Sequence, residues 1–108
     1  RNFIHVRDVA GAFMHCMANF EKMKDQVYNL GLSDANLSKW ELCQEIQKQV
    51  PQFTFVEGKG EDPDKRNYTV SNAKIEATGF NPRYSLQDGI KELTKGFQVI
   101  RNNRYANI

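Results

Sequence analysis

The chain has 108 residues, 40% hydrophobic and 26% charged, with a formal net charge of +2. Those proportions suit one modest globular domain over residues 1–108, and 3 Pro and 7 Gly exclude collagen-like and low-complexity classes. The charge is too small for a nucleic-acid reader, which needs a dense basic face with interleaved aromatics. The longest apolar run, residues 12–14, excludes a membrane-spanning segment, so neither nucleic acid nor membrane is an expected partner.

The chain opens at Arg1, directly inside the apolar run Phe3-Ile4-His5-Val6, which reads as a strand. A chain severed from a larger protein is therefore expected, with a trimmed disordered leader as the alternative. Charges at Arg1, Arg7 and Asp8 speak against a signal peptide. Asp8 is placed to N-cap a helix with the stripe Val9, Phe13, Cys16, Met17 and Phe20, spaced by three or four. After a charged loop, residues 27–31 read as a short strand that stops at Gly31. Ser38-Lys39-Trp40-Glu41 fits a capping box, and the helix it opens carries Leu42, Cys43, Ile46 and Val50 and ends before Pro51. Residues 53–56 alternate aromatic and β-branched side chains, again a strand pattern.

Residues 57–67 hold two Gly, one Pro and seven charges and are expected to be a loop. Its length favours a binding role over a simple turn. Residues 68–70 read as a brief extended piece, Ser71 as the cap of a short helix over 72–78, and Gly79 as its left-handed stop. Ser85-Leu86-Gln87-Asp88 is a second box, opening a helix with Leu86, Ile90, Leu93, Phe97 and Ile100 on one stripe. Residues 101–108 show no period. The expected fold class is α/β, with short strands and about four helices.

The chemistry available is narrow. His5 and His15 are ten apart with no ligand spacing around them, so no metal site is expected, and His15 reads as a packed, hydrogen-bonded side chain. Cys16 and Cys43 lie inside apolar helical patterns and read as reduced thiols of a cytoplasmic protein, without a nucleophile's partners. Gly58-Lys59-Gly60 is not a phosphate loop, because it does not link a strand to a helix. No catalytic residue is therefore assigned. Anion binding is the one positive signal: Arg1 opens the first strand, and Lys59, Lys65 and Arg66 share the long loop. Guanidinium groups match phosphate oxygens in pairs. On the residues alone, Lys65 and Arg66 equally well balance Glu61, Asp62 and Asp64 in a solvated loop.

Arg1-Asn2-Phe3-Ile4-His5-Val6, continued by Arg7-Asp8-Val9-Ala10-Gly11-Ala12, resembles the R-D/N-F/Y-I-H-V-x-D-V/L-A-x-A segment of the extended short-chain dehydrogenase/reductases. These are the NAD(P)-dependent nucleotide-sugar epimerases and dehydratases. Tyr28-Asn29-Leu30-Gly31 is similar to that family's Y-N-L/V-G strand. Residues 64–74, with Arg66, Tyr68 and Ser71, resemble the segment before its K-I/A helix. Gly79-Phe80-Asn81-Pro82 and Ser85-Leu86-Gln87-Asp88-Gly89-Ile90 resemble its carboxy-terminal motif.

The resemblance implies the small carboxy-terminal substrate-binding domain of such an enzyme, without its Rossmann domain. The catalytic Ser/Thr, the Tyr-x-x-x-Lys pair and the Gly-rich cofactor loop of the family would all precede this segment. The implied function is the nucleotide-sugar-binding portion of the parent enzyme, inactive alone and binding no NAD or NADP itself. The implied partners are a nucleoside-diphosphate sugar and the protein's own amino-terminal Rossmann domain, with a homodimeric parent that uses NAD or NADP. Arg1 matches the family arginine on the substrate diphosphate, and Asp64 matches the acid that binds the ribose. Glu61 stands where the family has its second diphosphate arginine, which leaves Arg66, or Lys59, to supply that charge. The same comparison implies that the 27–31 strand joins the edge of the missing sheet, with the helix from Asp8 nearby. The alternative is a non-catalytic α/β interaction module.

Overall fold

A computed structural model describes residues 1–60 and 67–100. The described residues form five helices: α1 Val6–Ala18, α2 Phe20–Met23, α3 Lys39–Gln49, α4 Ala73–Glu76 and α5 Leu86–Val99. They contain no sheet. The expected α/β class is therefore corrected to a helical one, in which the only β pairing described is an isolated antiparallel bridge between Asn2 and Asn36.

None of the three expected strands forms a ladder among the described residues. Residues 1–3 lie against 35–37 for a single bridge, after which the chain turns into α1. Residues 27–31 keep the alternation of a strand, with Tyr28 and Leu30 packed on the core and Val27 84% exposed. No main-chain hydrogen bond joins them to another described segment; Lys74 Nζ alone reaches the Val27 carbonyl, at 2.9 Å. Residues 53–56 alternate half-buried and exposed side chains in the same unpaired way. Alternation gives a segment its two faces, but a ladder needs a neighbour to accept and donate the bonds.

The helix termini follow the local chemistry more closely. Ser38 with Glu41 and Ser85 with Asp88 both form complete capping boxes, as their spacing predicts. Gly79 adopts φ +88°, which closes the turn after α4. Asp8 does not cap α1. His5 does, its Nδ1 accepting from the Arg7 amide at 3.1 Å, while the Asp8 carboxylate faces another segment. Phe20 belongs to α2, because Asn19 ends α1 by donating from both its amide and its side chain to the His15 carbonyl. Asn72, not Ser71, precedes α4, and it makes no side-chain cap.

Ala12, Met23, Ile75 and Phe80 form the buried core, with Cys16, Tyr28 and Leu30 against it. Thus α1, α2 and α4 share one core. The pair α3 and α5 packs beside it, tied by Gln49 Nε2 to the Gln87 carbonyl at 3.0 Å and by Gln87 Nε2 to Glu45 Oε2 at 3.2 Å. Asp8 joins the two halves: its oxygens accept from the amides of Arg83 at 2.8 Å and Tyr84 at 3.0 Å. Glu92 of α5 adds a second tie, meeting both His5 and Arg7 at 3.1 Å.

Candidate functional site

Arg1 is held by its main chain. It exchanges hydrogen bonds of 2.6 and 2.8 Å with Leu37, while Phe3 donates to the Ala35 carbonyl and accepts from the Leu32 amide. Asn2 locks the same turn from its side chain, donating from Nδ2 to the Leu32 carbonyl at 2.6 Å. A Cβ added to Gly31 would stand 1.3 Å from Asn2 Oδ1. Position 31 is glycine because the Asn2 amide already fills that space, and the backbone dihedral is not the reason.

The segment after the long loop is fastened to this turn. Val70 donates its amide to Asn36 Oδ1 at 2.9 Å, and Asn36 Nδ2 returns a bond to the Val70 carbonyl at 3.0 Å. That anchor brings Tyr68 to Arg1, whose guanidinium carbon lies 5.1 Å from the ring centroid. A cation over an aromatic face at this distance is held by the ring quadrupole. Residues far apart in sequence, from the first motif and from the long-loop segment, thus meet. Asp64 and Arg66, the other two candidate residues, lie outside the described residues.

Next to this turn, the first turn of α3 and residues 55–60 enclose a cleft of about 680 Å³. Trp40 and Phe55 meet edge to face in it, with centroids 4.7 Å apart, and Lys39, Glu57 and Lys59 also line it. The sequence reading gave Trp40 no role beyond the capping box. Its signal was phase: Trp40 lies off the stripe of Leu42, Cys43, Ile46 and Val50, so a large aromatic stood on the outer face. Lys59 is brought to the cleft; Arg1 is brought to Tyr68.

The Glu41 carboxyl at this end is held below the usual carboxylate range, because the Ser38 amide and then its hydroxyl bond to it. His15 is a packed residue: its Nε2 lies 2.9 Å from Thr78 Oγ1 and its ring 5.6 Å from Phe80. Thr78 already donates to the Ile75 carbonyl, so the imidazole is the donor of that pair. Among the described residues no three His, Cys, Asp or Glu gather into a metal-holding group, and no helix is long and apolar enough to cross a membrane. No protein-family model matches the chain.

Proposed function

We propose that this chain is the nucleotide-sugar-binding portion of an NAD(P)-dependent nucleotide-sugar epimerase or dehydratase of the extended short-chain dehydrogenase/reductase type. The observation that carries the reading is the Arg1–Tyr68 contact at 5.1 Å. The arginine of the first motif and the segment of Arg66 and Tyr68 need to meet if both hold one ligand. In this reading Arg1 binds the diphosphate through its donor fork, Arg66 adds the second charge, and Asp64 accepts from the ribose hydroxyls.

A second observation supports the same reading. Phe13, Met17 and Phe20 are exposed along α1 and α2, and residues 27–31 make no main-chain to main-chain hydrogen bond with another described segment, with Val27 outward. An extended edge beside an apolar helical face suits the edge of a further sheet. The proposed occupant is the protein's own amino-terminal Rossmann domain. A bound dinucleotide would supply hydride acceptance and return. Among the described residues Gly58-Lys59-Gly60 follows no strand, so this segment does not fit that group.

The test is a panel of nucleoside-diphosphate sugars, free sugars and sugar monophosphates in thermal-shift and calorimetric titrations of the protein that contains this chain. The expected result is stabilisation by at least one diphosphate sugar that Arg1→Ala weakens. Binding by none of the panel overturns the reading.

A further inference from the structure

The cleft at the first turn of α3 has two aromatic walls, each held by contacts of its own. Trp40 stands in the turn that the Ser38–Glu41 capping box closes. Phe55 stacks on Phe53, with centroids 5.8 Å apart and planes at 24°, and Gln47 Nε2 donates to the Phe53 carbonyl at 3.0 Å. Neither wall belongs to the buried core. The planes of Trp40 and Phe55 cross at 73°. Whichever ring presents its edge, Phe55 covers at most one face of the indole. Trp40 accordingly stays 50% exposed.

We propose that this cleft takes the base of the nucleoside-diphosphate ligand, stacked on the open face of Trp40 with Phe55 at its edge. The proposal rests on the nucleotide-sugar reading and adds to it the place of the base. A corner of two rings nearly at right angles suits a flat aromatic guest, which stacks on one wall and meets the other edge to face. The volume of about 680 Å³ is that of a small-molecule site. Lys39 and Lys59 line it against the single carboxylate of Glu57, so the cleft favours a base that carries phosphate over a neutral ring. Position points the same way. Arg1 exchanges its main-chain hydrogen bonds with Leu37, two residues before α3 begins at Lys39. The residue assigned to the diphosphate is thus paired with the chain that enters the aromatic corner. Every base has a π face, so stacking selects for a base without deciding which one.

Trp40 is the only tryptophan of the chain, so indole emission reports on this cleft alone. The experiment is a fluorescence titration of the full 108-residue chain with uridine, cytidine, thymidine, guanosine and adenosine monophosphates. Ribose phosphate is the control without a base. At least one nucleotide should quench the emission saturably, and ribose phosphate should not. In calorimetric titrations with that nucleotide, Trp40→Leu and Phe55→Leu should each weaken binding by about fivefold or more, whereas Trp40→Phe keeps most of the affinity. Both Trp40 variants should retain the wild-type circular-dichroism spectrum, since Trp40 lies outside the core. Quenching by no nucleotide, or equal quenching by ribose phosphate, overturns the proposal, as does full affinity in Trp40→Leu. A diphosphate sugar whose binding Arg1→Ala weakens, but which leaves Trp40 emission unchanged, overturns the base site and leaves the nucleotide-sugar reading standing. Saturable nucleotide quenching with no diphosphate sugar bound supports the cleft and overturns that reading.

Discussion

The side-chain amide of Asn2 occupies the space in which any side chain at Gly31 would begin, with Asn2 Oδ1 1.3 Å from the position of a Cβ there. The same Asn2 bonds the Leu32 carbonyl next to the main-chain pairing of Arg1 with Leu37. Gly31 therefore acts on the candidate site through Asn2 and Arg1, although it reaches no ligand itself.

Gly31→Ala should expel the Asn2 amide and destabilise the chain by about 1–3 kcal/mol, the range for overpacking a filled site. Thermal denaturation should show a melting temperature lower by roughly 4–8 °C per kcal/mol. Adding Asn2→Gly should recover part of the loss, because it vacates the contested space. An additive double mutant would refute the contact.

Asp8 joins α1 to the chain that enters α5, through the amides of Arg83 and Tyr84. It is buried at 4% exposure, and Asp8→Ala removes the acceptor of two main-chain donors. The expected loss is about 2–4 kcal/mol, from two hydrogen bonds to a charged acceptor. Asp8→Asn keeps one acceptor oxygen and should lose less. Urea unfolding monitored by circular dichroism measures both, and equal losses would show that the carboxylate's second oxygen is idle.

The two capping boxes set an acid limit. Glu41 is held below the usual carboxylate range by the Ser38 amide and then its hydroxyl, and Asp88 by the Ser85 hydroxyl and then its amide. A carboxylate depressed by folding adds stability above its unfolded value, and that stability fades as pH falls through the folded one. Helicity at α3 and α5 should hold from neutrality to about pH 5 and weaken below about pH 4. Glu41→Gln and Asp88→Asn should each shrink the difference in stability between neutral and acid solution. A difference as large as wild type in both variants would place the acid sensitivity elsewhere.

Arg1 is expected to hold a diphosphate. Arg1→Ala should weaken nucleoside-diphosphate sugar binding about ten- to a hundredfold, the value of a hydrogen bond to a charged group, and leave dinucleotide affinity unchanged. Arg1→Lys should recover only part, since one ammonium cannot reproduce the paired contact. Tyr68→Leu should weaken binding about two- to fivefold by releasing the guanidinium from the ring. Arg66→Ala should behave like Arg1→Ala. Titrations at one fixed salt concentration separate the cases. If Lys59→Ala weakens substrate while Arg66→Ala does not, the second charge belongs to the α3 cleft that Lys59 lines.

Residues a few positions apart decide a helix end, and several were legible: both capping boxes, the left-handed Gly79 and the end of α3 before Pro51 need only local partners, although α4 spans Ala73–Glu76 rather than the expected 72–78. His5 and Asp8 show the limit of that logic. By residue type Asp8 is the expected cap, yet its carboxylate binds the amides of Arg83 and Tyr84, and His5, three residues earlier, caps α1 instead. Strands were the larger failure. Residues 27–31 carry the right alternation, but main-chain bonds across a ladder come from a partner, and none is supplied by the described residues. Arg1 and Tyr68 were each visible as residue types, whereas their meeting was not. That contact depends on Asn36 bonding Val70 across the fold, a long-range choice that no local pattern encodes. The sequence by itself determined the two capping boxes, the end of α3 before Pro51 and which residues carry charge. The tertiary structure alone decided which extended segments found partners, because that depends on what lies beside them in space.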